Sequence, residues 1–404
     1  MPGRPLTTTF GTRTKGDGEV LRDKTAIIGT GTTEYAKNIG RSELQTALEA
    51  IHAALDDAGL TPRDVDAIFK VETPGEDSNN EIELARNLGI SNLRAWGGMG
   101  FGGGAACGPV VHAAMAIVSG LASVAIAVRA RNRGSGGRPW ARTGNRVPGV
   151  GAFEAPYGLV SPPQQIAILA RRYMHEYGAR PEDFARVGVM QRANATRNPR
   201  ALFRDPITID DVLSSRMIAD PLHLLDCSLE TDGACALIVT SAERARDLKQ
   251  SPVYISGAAQ GMGPRHYMMS GLLYQDDPFD FPSYYAARDL YAMAGLGPED
   301  VDVAEFYDVF SPMVLWQLEA YGFCARGEAP AFVQAGKADW PDGEIPVNTH
   351  GGSLSEAYVH GFNHLLEAVR QMRGSSTCQV EGAKVALVAA AAVVPTSALI
   401  LRRD

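Results

Sequence analysis

The sequence contains one nine-residue phrase twice, and this internal repeat constrains its fold more than any other feature. Residues 58–66 read AGLTPRDVD and residues 294–302 read AGLGPEDVD, and seven of the nine positions agree without a gap. Each copy follows an amphipathic run, at 42–57 and at 284–293, and precedes an extended apolar stretch. A helix that ends at Gly, a turn that begins at Pro and a following strand are the structure that this order predicts. We therefore predict two halves with a common plan, rather than a phrase that occurs twice by chance.

Other segments of the two halves correspond in the same order. Each half opens with a strand-like run, at 25–31 and at 253–261. Each then has a glycine-containing turn and a helix before a further apolar strand, at 123–128 and at 384–394. Near-continuous apolar strands separated by amphipathic helices are typical of parallel strands that are covered on both faces. We predict an α/β fold in which two similar halves share a core.

The boundaries of these parts follow from composition. Residues 1–23 are polar and lack the apolar run of a signal peptide, so we predict a flexible N-terminal tail. The N-terminal half should cover 24–250 and include an inserted loop and helical region at about 130–230, and the C-terminal half should cover 251–404. Arginines at the start of the insert could bind phosphates or carboxylates, or could face solvent. They are Arg129, Arg131, Arg133, Arg138, Arg142 and Arg146.

Charge and cysteine usage exclude several classes of protein. The chain has 38 basic and 46 acidic residues, and a net charge of −8 argues against nucleic-acid binding. Its five cysteines lack CxxC spacing, which favours reduced thiols over a disulfide framework or a zinc knuckle. The longest apolar stretch, 385–401, contains Pro395, Thr396 and Ser397 and falls short of a membrane-spanning helix. We expect a cytoplasmic protein without a membrane span.

Four phrases together resemble the thiolase superfamily. They are DPLHLLDCSLETDGACALIVTSAERA (220–245), EFYDVFSP (305–312), YGFCARGEAPAFVQAG (321–336) and PVNTHGGSLSEAYVHG (346–361). They are similar to the sterol-carrier-protein type of thiolase and to the lipid-transfer-protein branch of sterol catabolism. The resemblance extends from residue 24 to the C-terminus. It implies the thiolase fold, with two duplicated βαβαβαββ halves in a five-layer α/β/α/β/α sandwich.

The residues at the family's catalytic positions are different in this chain. The resemblance places Gly104 where thiolases have the nucleophilic cysteine, and Cys107 falls one turn inside the following helix. Tyr358 takes the place of the histidine that activates this cysteine. Tyr307 takes the place of the Asn or His that positions a water or an oxyanion. Claisen chemistry through an acyl-cysteine is therefore not expected, although a shift in the glycine-rich loop could restore Cys107 as the nucleophile.

Two tyrosines can carry out a retro-aldol cleavage. A phenol with a pKa of about 10 can donate a proton, or accept one if its phenolate is stabilised. Such a cleavage needs a base for the β-hydroxyl of an acyl-CoA and donors that hold the thioester enolate. We predict that Tyr358 is the base and that Tyr307 donates to an oxygen of the substrate or enolate. The sequence leaves open that the two tyrosines have the reverse roles. The alternative is that each tyrosine is an amphipathic core residue.

Supporting residues flank the tyrosines in the sequence. His350 and His360 could each contact the thioester or the base, and Asp308 could orient Tyr307 or cap the next turn. The candidates for binding the substrate or its CoA are Gly351, Gly352, Arg131 and Arg133. We expect no metal and no separate cofactor, because CoA is part of the substrate.

Within the superfamily, the pattern resembles the aldolases of bacterial steroid side-chain degradation. Those enzymes cleave a 17-hydroxy steroid-20-carboxyl-CoA to a 17-ketosteroid and propionyl-CoA. The resemblance implies a homodimer and a small partner with a zinc ribbon and an OB-fold, which helps to form the CoA site. Two alternatives remain, namely a thiolase or acyltransferase that uses Cys107 and a non-catalytic carrier of lipids or sterols. Turnover of a β-hydroxyacyl-CoA would separate the aldolase from the carrier.

Overall fold

The computed structural model describes residues 20–72, 79–100, 102–136, 149, 151–264, 266 and 269–404. Most of the predicted flexible tail, at 1–19, lies outside the described residues, as do Arg138, Arg142 and Arg146. The last residue of that predicted tail is held by the fold, because the guanidinium of Arg402 donates to the carboxylate of Asp23 at 2.9 and 3.0 Å.

The described strands form one large sheet and one small hairpin. The strands are β1 (Thr25–Thr32), β2 (Ala67–Val71), β3 (Ala95–Met99), β4 (Val124–Asn132), β5 (Met217–Ala219), β6 (Leu222–His223), β7 (Asp232–Ser241), β8 (Val253–Gly261), β9 (Val303–Phe306), β10 (Val385–Ala389) and β11 (Thr396–Arg402). The nine-stranded sheet has the order β3-β2-β4-β7-β1-β8-β11-β10-β9, and β5 pairs with β6. Strands of the first half occupy one side of this order and strands of the second half occupy the other.

The helices alternate with these strands along most of the chain. They are α1 (Glu43–Ala58), α2 (Glu81–Leu88), α3 (Gly108–Val118), α4 (Arg133–Gly136), α5 (Gly151–Glu154), α6 (Pro162–Tyr177), α7 (Pro181–Ala195), α8 (Ile209–Ser214), α9 (Ala242–Ala245), α10 (Pro282–Ala294), α11 (Pro312–Ala320), α12 (Ala329–Gln334), α13 (Gly352–Ser355) and α14 (Phe362–Arg373). Among the described residues, no helix is both long enough and apolar enough to cross a membrane.

Both copies of the repeated phrase end a helix in the same way. Gly59 ends α1 with φ of 71°, and Gly295 ends α10 with φ of 66°, which are left-handed conformations that favour glycine. A single 3₁₀ turn then begins at Pro62 in one half and at Pro298 in the other. Strands β2 and β9 follow these turns, so the structure confirms that the repeat marks equivalent elements.

The sheet is mixed, whereas the sequence pattern predicted parallel strands. Strand β2 is parallel to β3 and β4, and β10 is parallel to β9, but β7, β8 and β11 pair with their neighbours in the antiparallel sense. The closing strands have the same apolar composition as the parallel strands, because they are also covered on both faces. The two halves of the sheet are joined through only two residue pairs between β1 and β8.

Three hydrophobic clusters confirm the predicted five layers. The middle cluster joins α3 and α14 to both halves of the sheet, for example through Val110, Leu365 and Leu399. An outer cluster packs α1 and α2 on the first half. A second outer cluster packs α10 and α11 on the second half, and it includes α6 and α7 from the inserted region. Because α3 and α14 share the central layer, the loops that precede them meet at one end of the molecule.

The end of the chain differs from the prediction. The apolar run 384–394 was predicted to be one strand, but β10 ends at Ala389 and the final strand β11 begins at Thr396. The intervening turn contacts the glycine-rich segment at 102–105, since the Ala391 amide donates to the Gly103 carbonyl at 3.1 Å. This bond fixes that segment, which we call the glycine loop, beside the ends of β9 and β10.

Candidate active site

Tyr307 and Tyr358 lie in contact inside the protein. Tyr307 directly follows β9, and Tyr358 lies between α13 and α14. Their hydroxyl oxygens are 2.8 Å apart and buried, and their rings meet edge to face. Two residues that are 51 positions apart in the sequence therefore share one hydrogen bond. The prediction that these tyrosines converge agrees with this geometry.

The backbone around Tyr307 is fixed by two buried amide side chains. Asn348 pairs with both backbone groups of Phe306, accepting at 2.7 Å and donating at 2.9 Å. Gln317 donates to the carbonyl of Tyr307 at 2.8 Å, and the amide of Tyr307 donates to Ala389 at 3.0 Å. Asn348 itself has a φ of 49°, a left-handed conformation that Asn tolerates better than most residues. Tyr307 is thus held at the sheet end independently of the loop that carries Tyr358.

Thr231 holds the backbone of Tyr358, and the sequence did not indicate this role. The Thr231 hydroxyl accepts from the Tyr358 amide at 2.9 Å and donates to the Tyr358 carbonyl at 3.3 Å. Thr231 is buried directly before β7, inside the first of the four phrases that resemble thiolases. A threonine in that phrase gives no signal of a partner 127 positions away.

The glycine loop makes room for the Tyr307 hydroxyl. A Cβ atom built on Gly103 would collide with the ring and the hydroxyl of Tyr307. A Cβ on Gly104 would instead meet the carbonyl of Pro395. The position whose missing side chain faces the tyrosine pair is therefore Gly103, one residue before the glycine that the resemblance aligned with the thiolase nucleophile.

Cys107 belongs to the middle hydrophobic cluster. Its thiol is fully buried in the middle layer and lies 3.7 Å from the carbonyl of Val388. Burial raises the pKa of the Cys107 thiol far above its ordinary value, so the thiolate is strongly disfavoured. This environment is that of a structural core cysteine and argues against the thiolase alternative.

The pKa values of the two tyrosines are raised to different degrees. Burial raises the pKa of Tyr307 well above 10, and the hydrogen bond with Tyr358 adds to the rise. Burial also raises the pKa of Tyr358, but the hydrogen bond with Tyr307 and the charges of Arg131 and Arg133 limit that rise. This asymmetry favours Tyr307 as the donor in the shared bond and Tyr358 as the site where a phenolate forms more readily.

Arginines of β4 supply positive charge beside the tyrosines. Side chains alternate along a strand, and the alternate residues Ala125 and Ala127 belong to the middle layer. Arg129 and Arg131 continue that face and are buried. Arg133, the first residue of α4, is also buried and lies 3.3 Å from Glu230. Arg131 and Arg133 thus act on the tyrosines through their charge, and their predicted binding of CoA stays a prediction.

His360 lies beside an arginine, whereas Asp308 accepts hydrogen bonds from a histidine and two backbone amides. Arg129 donates to Nδ1 of His360 at 3.1 Å, and the His360 ring lies 5.1 Å from the Tyr358 ring. Asp308 accepts from His364 at 2.9 Å and from the amides of Ser353 and Leu354 at 2.8 and 3.2 Å. Although burial opposes it, the bond from His364 helps to hold the pKa of Asp308 below its ordinary value. Asp308 therefore ties α13 to the end of β9 as a carboxylate.

His350 lies in a separate buried cluster of acidic side chains. Its Nδ1 is 2.9 Å from Glu305, and its Nε2 is 3.7 Å from Glu356. Burial lowers the pKa of His350, but Glu356 and Glu305 outweigh this effect and raise it to about 9. The described contacts of His350 thus connect it with carboxylates rather than with the tyrosines.

Gly351 and Gly352 have structural reasons to be glycine. Both have left-handed φ values, of 104° and 63°. A Cβ on Gly351 would crowd Ala195 of α7, and one on Gly352 would collide with the carboxylate of Asp308. Their predicted contact with substrate or CoA stays a prediction, but their close packing places α13 and the following loop that carries Tyr358.

A cavity of about 250 Å³ lies beside the glycine loop. Its walls are mostly apolar and come from the loop, the ends of β3 and β8, and the start of β11. They are formed by Met99, Gly100, Gly104, Ala105, Gln260, Gly261, Met262, Pro395 and Thr396. Gly104 lines the cavity and its neighbour Gly103 faces Tyr307, whereas neither tyrosine is among the residues that form the walls.

The duplicated sheet, the central helices and the loops that meet at their ends define a thiolase-fold protein whose site contains two tyrosines. A family model described as thiolase C-terminal domain-like matches residues 266–402, which include both tyrosines. The chain is 49% identical over 393 residues to a steroid side-chain-cleaving aldolase of Thermomonospora curvata, with 95% of this chain and 99% of the relative covered.

Two further comparisons agree with this one. The chain is 48% identical over 390 residues to a 17-hydroxy-3-oxo-4-pregnene-20-carboxyl-CoA lyase of Mycobacterium tuberculosis, covering 95% of this chain and all of the relative. A solved structure described as an Ltp2-ChsH2(DUF35) aldolase has a TM-score of 0.88 at 48% identity, covering 95% of this chain and 99% of that chain. The chain belongs to the steroid side-chain-cleaving aldolases of the thiolase superfamily.

We predict that Gly103→Ala abolishes most activity without unfolding the protein. The added methyl group would displace the Tyr307 hydroxyl and break its bond with Tyr358. Turnover of a β-hydroxyacyl-CoA should fall at least about 100-fold, the lower range for a lost acid–base group. Gly188→Ala is the control, because a Cβ there meets only ordinary contacts at 3.5 and 3.9 Å inside α7. Full activity of Gly103→Ala would show that the tyrosine pair tolerates displacement.

Proposed function

We propose that this protein is an acyl-CoA retro-aldolase that cleaves the side chain of a 17-hydroxy steroid-20-carboxyl-CoA. The products are a 17-ketosteroid and propionyl-CoA. The observation that carries the proposal is the buried hydrogen bond between Tyr307 and Tyr358, which stands where thiolase relatives have their catalytic polar groups. The two relatives at 48–49% identity, a side-chain-cleaving aldolase and a carboxyl-CoA lyase, support the same carbon–carbon lyase chemistry.

The reaction moves one proton from oxygen to carbon. Tyr358, as a phenolate, removes the proton of the 17-hydroxyl, and the electrons of that O–H bond form the new ketone. The Cα–Cβ bond breaks and its electron pair passes into the thioester to give an enolate. The enolate carbon then takes a proton from the tyrosine pair, which restores the phenolate. The steps balance without an oxidant, a reductant or an added proton.

The surroundings of Tyr358 suit this role. Tyr307 donates to it, and Arg131 and Arg133 place positive charge nearby, so the phenolate of Tyr358 is favoured over that of Tyr307. Thr231 holds the backbone of Tyr358 on both sides of the residue. After Tyr358 has taken the hydroxyl proton, the bond at 2.8 Å allows a proton to pass between the two tyrosines. We assign Tyr358 as the base and Tyr307 as the donor.

The alternatives fit the site less well. A thiolase would need a reactive thiolate, but the pKa of Cys107 is raised by burial and its thiol points to the Val388 carbonyl. A carrier would need only an apolar cavity, and the tyrosine pair with its ordered supports would then have no role. The cavity beside the glycine loop can instead accept apolar atoms of a substrate whose reacting carbons lie at the tyrosines.

We also propose that the chain forms a homodimer. Strand β3 is one of the two edge strands of the nine-stranded sheet, and Trp96 on this strand is 56% exposed. An exposed edge strand with an aromatic side chain is suited to pairing with a second copy. The family resemblance implies the same state.

A small zinc-ribbon and OB-fold protein is the proposed partner. The described structure of an Ltp2-ChsH2(DUF35) aldolase names a second component, which supports such an assembly. Phe153 and Tyr157 of the inserted region are 80% and 90% exposed, and they give the partner an aromatic surface.

We propose a cytoplasmic location and catalysis without a metal or a separate cofactor. The reaction as written uses only protein groups and the CoA thioester of the substrate. Activity of protein purified in the presence of a chelator would support this part of the proposal, with the zinc-ribbon partner left out so that its own metal does not confound the result.

We predict that Tyr358→Phe and Tyr307→Phe each lower kcat by about 10²–10⁴, the usual range for a lost acid–base group. Each change removes a buried hydrogen bond, so the free energy of unfolding should fall by only about 1 kcal/mol. Release of propionyl-CoA from the steroid thioester measures kcat. Cys107→Ala is the matched control and should keep most activity, because its thiol contacts only the core. Wild-type turnover in either Phe variant would remove that tyrosine from the mechanism.

We predict that kcat rises with pH from about 6 to 9. The pKa of Tyr358 lies above 10 in the folded protein, so its phenolate is a minor species at neutral pH. The phenolate fraction increases tenfold for each pH unit below the pKa, and log kcat should follow with a slope near one. Arg131→Gln should lower the rate at each pH and keep the slope, because it removes a charge that favours the phenolate. A rate that falls with rising pH would contradict the assignment of Tyr358 as base.

We predict that the two proposed interfaces can be separated by mutation. Trp96→Lys should convert the dimer into a monomer, as light scattering after size exclusion would show. Phe153→Ser with Tyr157→Ser should instead reduce copurification with the partner and leave the dimer intact. Each variant is the control for the other, since Trp96 belongs to β3 and the two aromatic residues belong to the inserted region. A dimer that survives Trp96→Lys would place the subunit interface elsewhere.

A further inference from the structure

His360 has an unusual backbone conformation for its residue type. Its φ is 49°, in the left-handed region, although it is not a glycine. Residues other than glycine adopt this conformation at an energetic cost, and such positions concentrate at functional sites. The next residue, Gly361, also has a positive φ of 82° and packs against Tyr307. The chain thus bends sharply to place the imidazole beside the tyrosine pair.

The contact with Arg129 fixes which nitrogen of His360 carries the proton. A guanidinium is always protonated and can only donate, so the bond at 3.1 Å makes Nδ1 of His360 an acceptor. The hydrogen of the neutral ring is therefore on Nε2. Arg129 is itself held by the carbonyl of Val71 at 2.6 Å, so it cannot turn away easily.

The surroundings keep this imidazole neutral. Burial and the charges of Arg131, Arg129 and Arg133 lower the pKa of His360 well below its ordinary value. These arginines face it from β4 and the start of α4, and the Tyr358 ring faces it from its own loop. Because the described groups around His360 are cationic or neutral, the ring does not bind a second proton at working pH.

The Nε2 hydrogen is the donor that remains available. Among the residues that the structure describes, Nε2 of His360 has no hydrogen-bond partner, while its side chain is almost fully buried. The ring edge faces the glycine loop, since its Cε1 atom lies 3.9 Å from a Cβ placed on Gly102. The other two histidines of this region differ: His350 and His364 each contact carboxylates. His360 is thus the histidine with a free donor at the site.

We propose that His360 is a catalytic residue that donates its Nε2 hydrogen to the thioester oxygen and stabilises the enolate. When the Cα–Cβ bond breaks, this oxygen gains negative charge, and a fixed neutral donor stabilises that charge without transferring its proton. The oxygen, not His360, carries the charge, and the tyrosine pair still supplies the proton to carbon. A neutral imidazole that polarises a carbonyl is an established type of electrophilic catalyst. The inference rests on the proposed retro-aldol function and assigns the donor that this reaction needs.

His360→Asn is the variant best suited to test this role. Asn tolerates the left-handed backbone, and its side-chain oxygen can accept from Arg129 in place of Nδ1. Its side chain is too short to place a donor where Nε2 lies. We expect kcat to fall about 10²–10³-fold with little change in KM, the range for a lost oxyanion donor. The slope of log kcat against pH should remain that of the wild type. If His360 were instead a base or a proton relay, its replacement would change this slope.

A second measurement follows the enolate directly. The wild-type protein should exchange the α-protons of propionyl-CoA in D₂O, because this product forms the same enolate as the cleavage. His360→Asn should slow the exchange by a factor similar to the loss in kcat. His360→Phe, which keeps an aromatic ring but has no hydrogen-bond donor, should slow the exchange in the same way. His112→Asn is the control, since His112 is a half-exposed helix residue that packs on Phe69 outside the site.

The outcomes separate this proposal from the proposed function. Cleavage and exchange rates of His360→Asn within about threefold of wild type would overturn the role of His360. A wild-type protein that fails to cleave the steroid thioester, with and without its partner, would overturn the substrate assignment. In that event the exchange reaction would still test His360, because it needs only the acyl-CoA product.

Discussion

The hydrogen bond between Tyr307 and Tyr358 sets the requirements that the surrounding structure meets. It joins the end of β9 to the loop before α14, and both ends must be rigid for the oxygens to stay 2.8 Å apart. Asn348 fixes the strand end, and Thr231 fixes the loop. Glycine at position 103 removes the side chain that would otherwise occupy the same space. The shared core of the two halves brings these three residues to one point.

The charges are arranged in two separate groups. Arginines from β4 and α4 lie on the side of Tyr358 and His360, where they favour a phenolate and a neutral imidazole. The buried carboxylates Glu305 and Glu356 lie behind the loop, where His350 and Arg370 balance them. Asp308 and Glu230 act in the opposite sense and raise the pKa values of Tyr307 and Tyr358, so the positive charge of the arginines also offsets these two carboxylates at the tyrosines. The arginines therefore support both the base and the neutral donor in one small volume.

The sequence predicted the fold well because its main signals are local. Helix ends at Gly59 and Gly295 and the strands at 25–31 and 253–261 depend on neighbouring residues, and the structure confirms them. The predicted parallel direction is confirmed for β2 with β3 and β4 and for β9 with β10, but it was wrong for the other pairs, because buried antiparallel and parallel strands have the same apolar composition. The support of Tyr358 by Thr231 and the acidic surroundings of His350 depend on contacts far apart in sequence. The glycine loop consists largely of residues without side chains, so its sequence did not indicate which glycine faces Tyr307.

The replacement of a cysteine–histidine site by tyrosines follows from the bond that each reaction breaks. Thiolysis needs a nucleophile that carries an acyl group, so a low-pKa thiolate is required. A retro-aldol reaction carries no group and only moves a proton from a hydroxyl to a carbon. Phenols suit that transfer because of their ordinary pKa of about 10. This value lies closer to the pKa of an alcohol than the pKa of a carboxylic acid does. The same fold then needs only a space at Gly103, two hydroxyls in contact and positive charge beside one of them, while the Cys107 thiol can be buried as an ordinary core group.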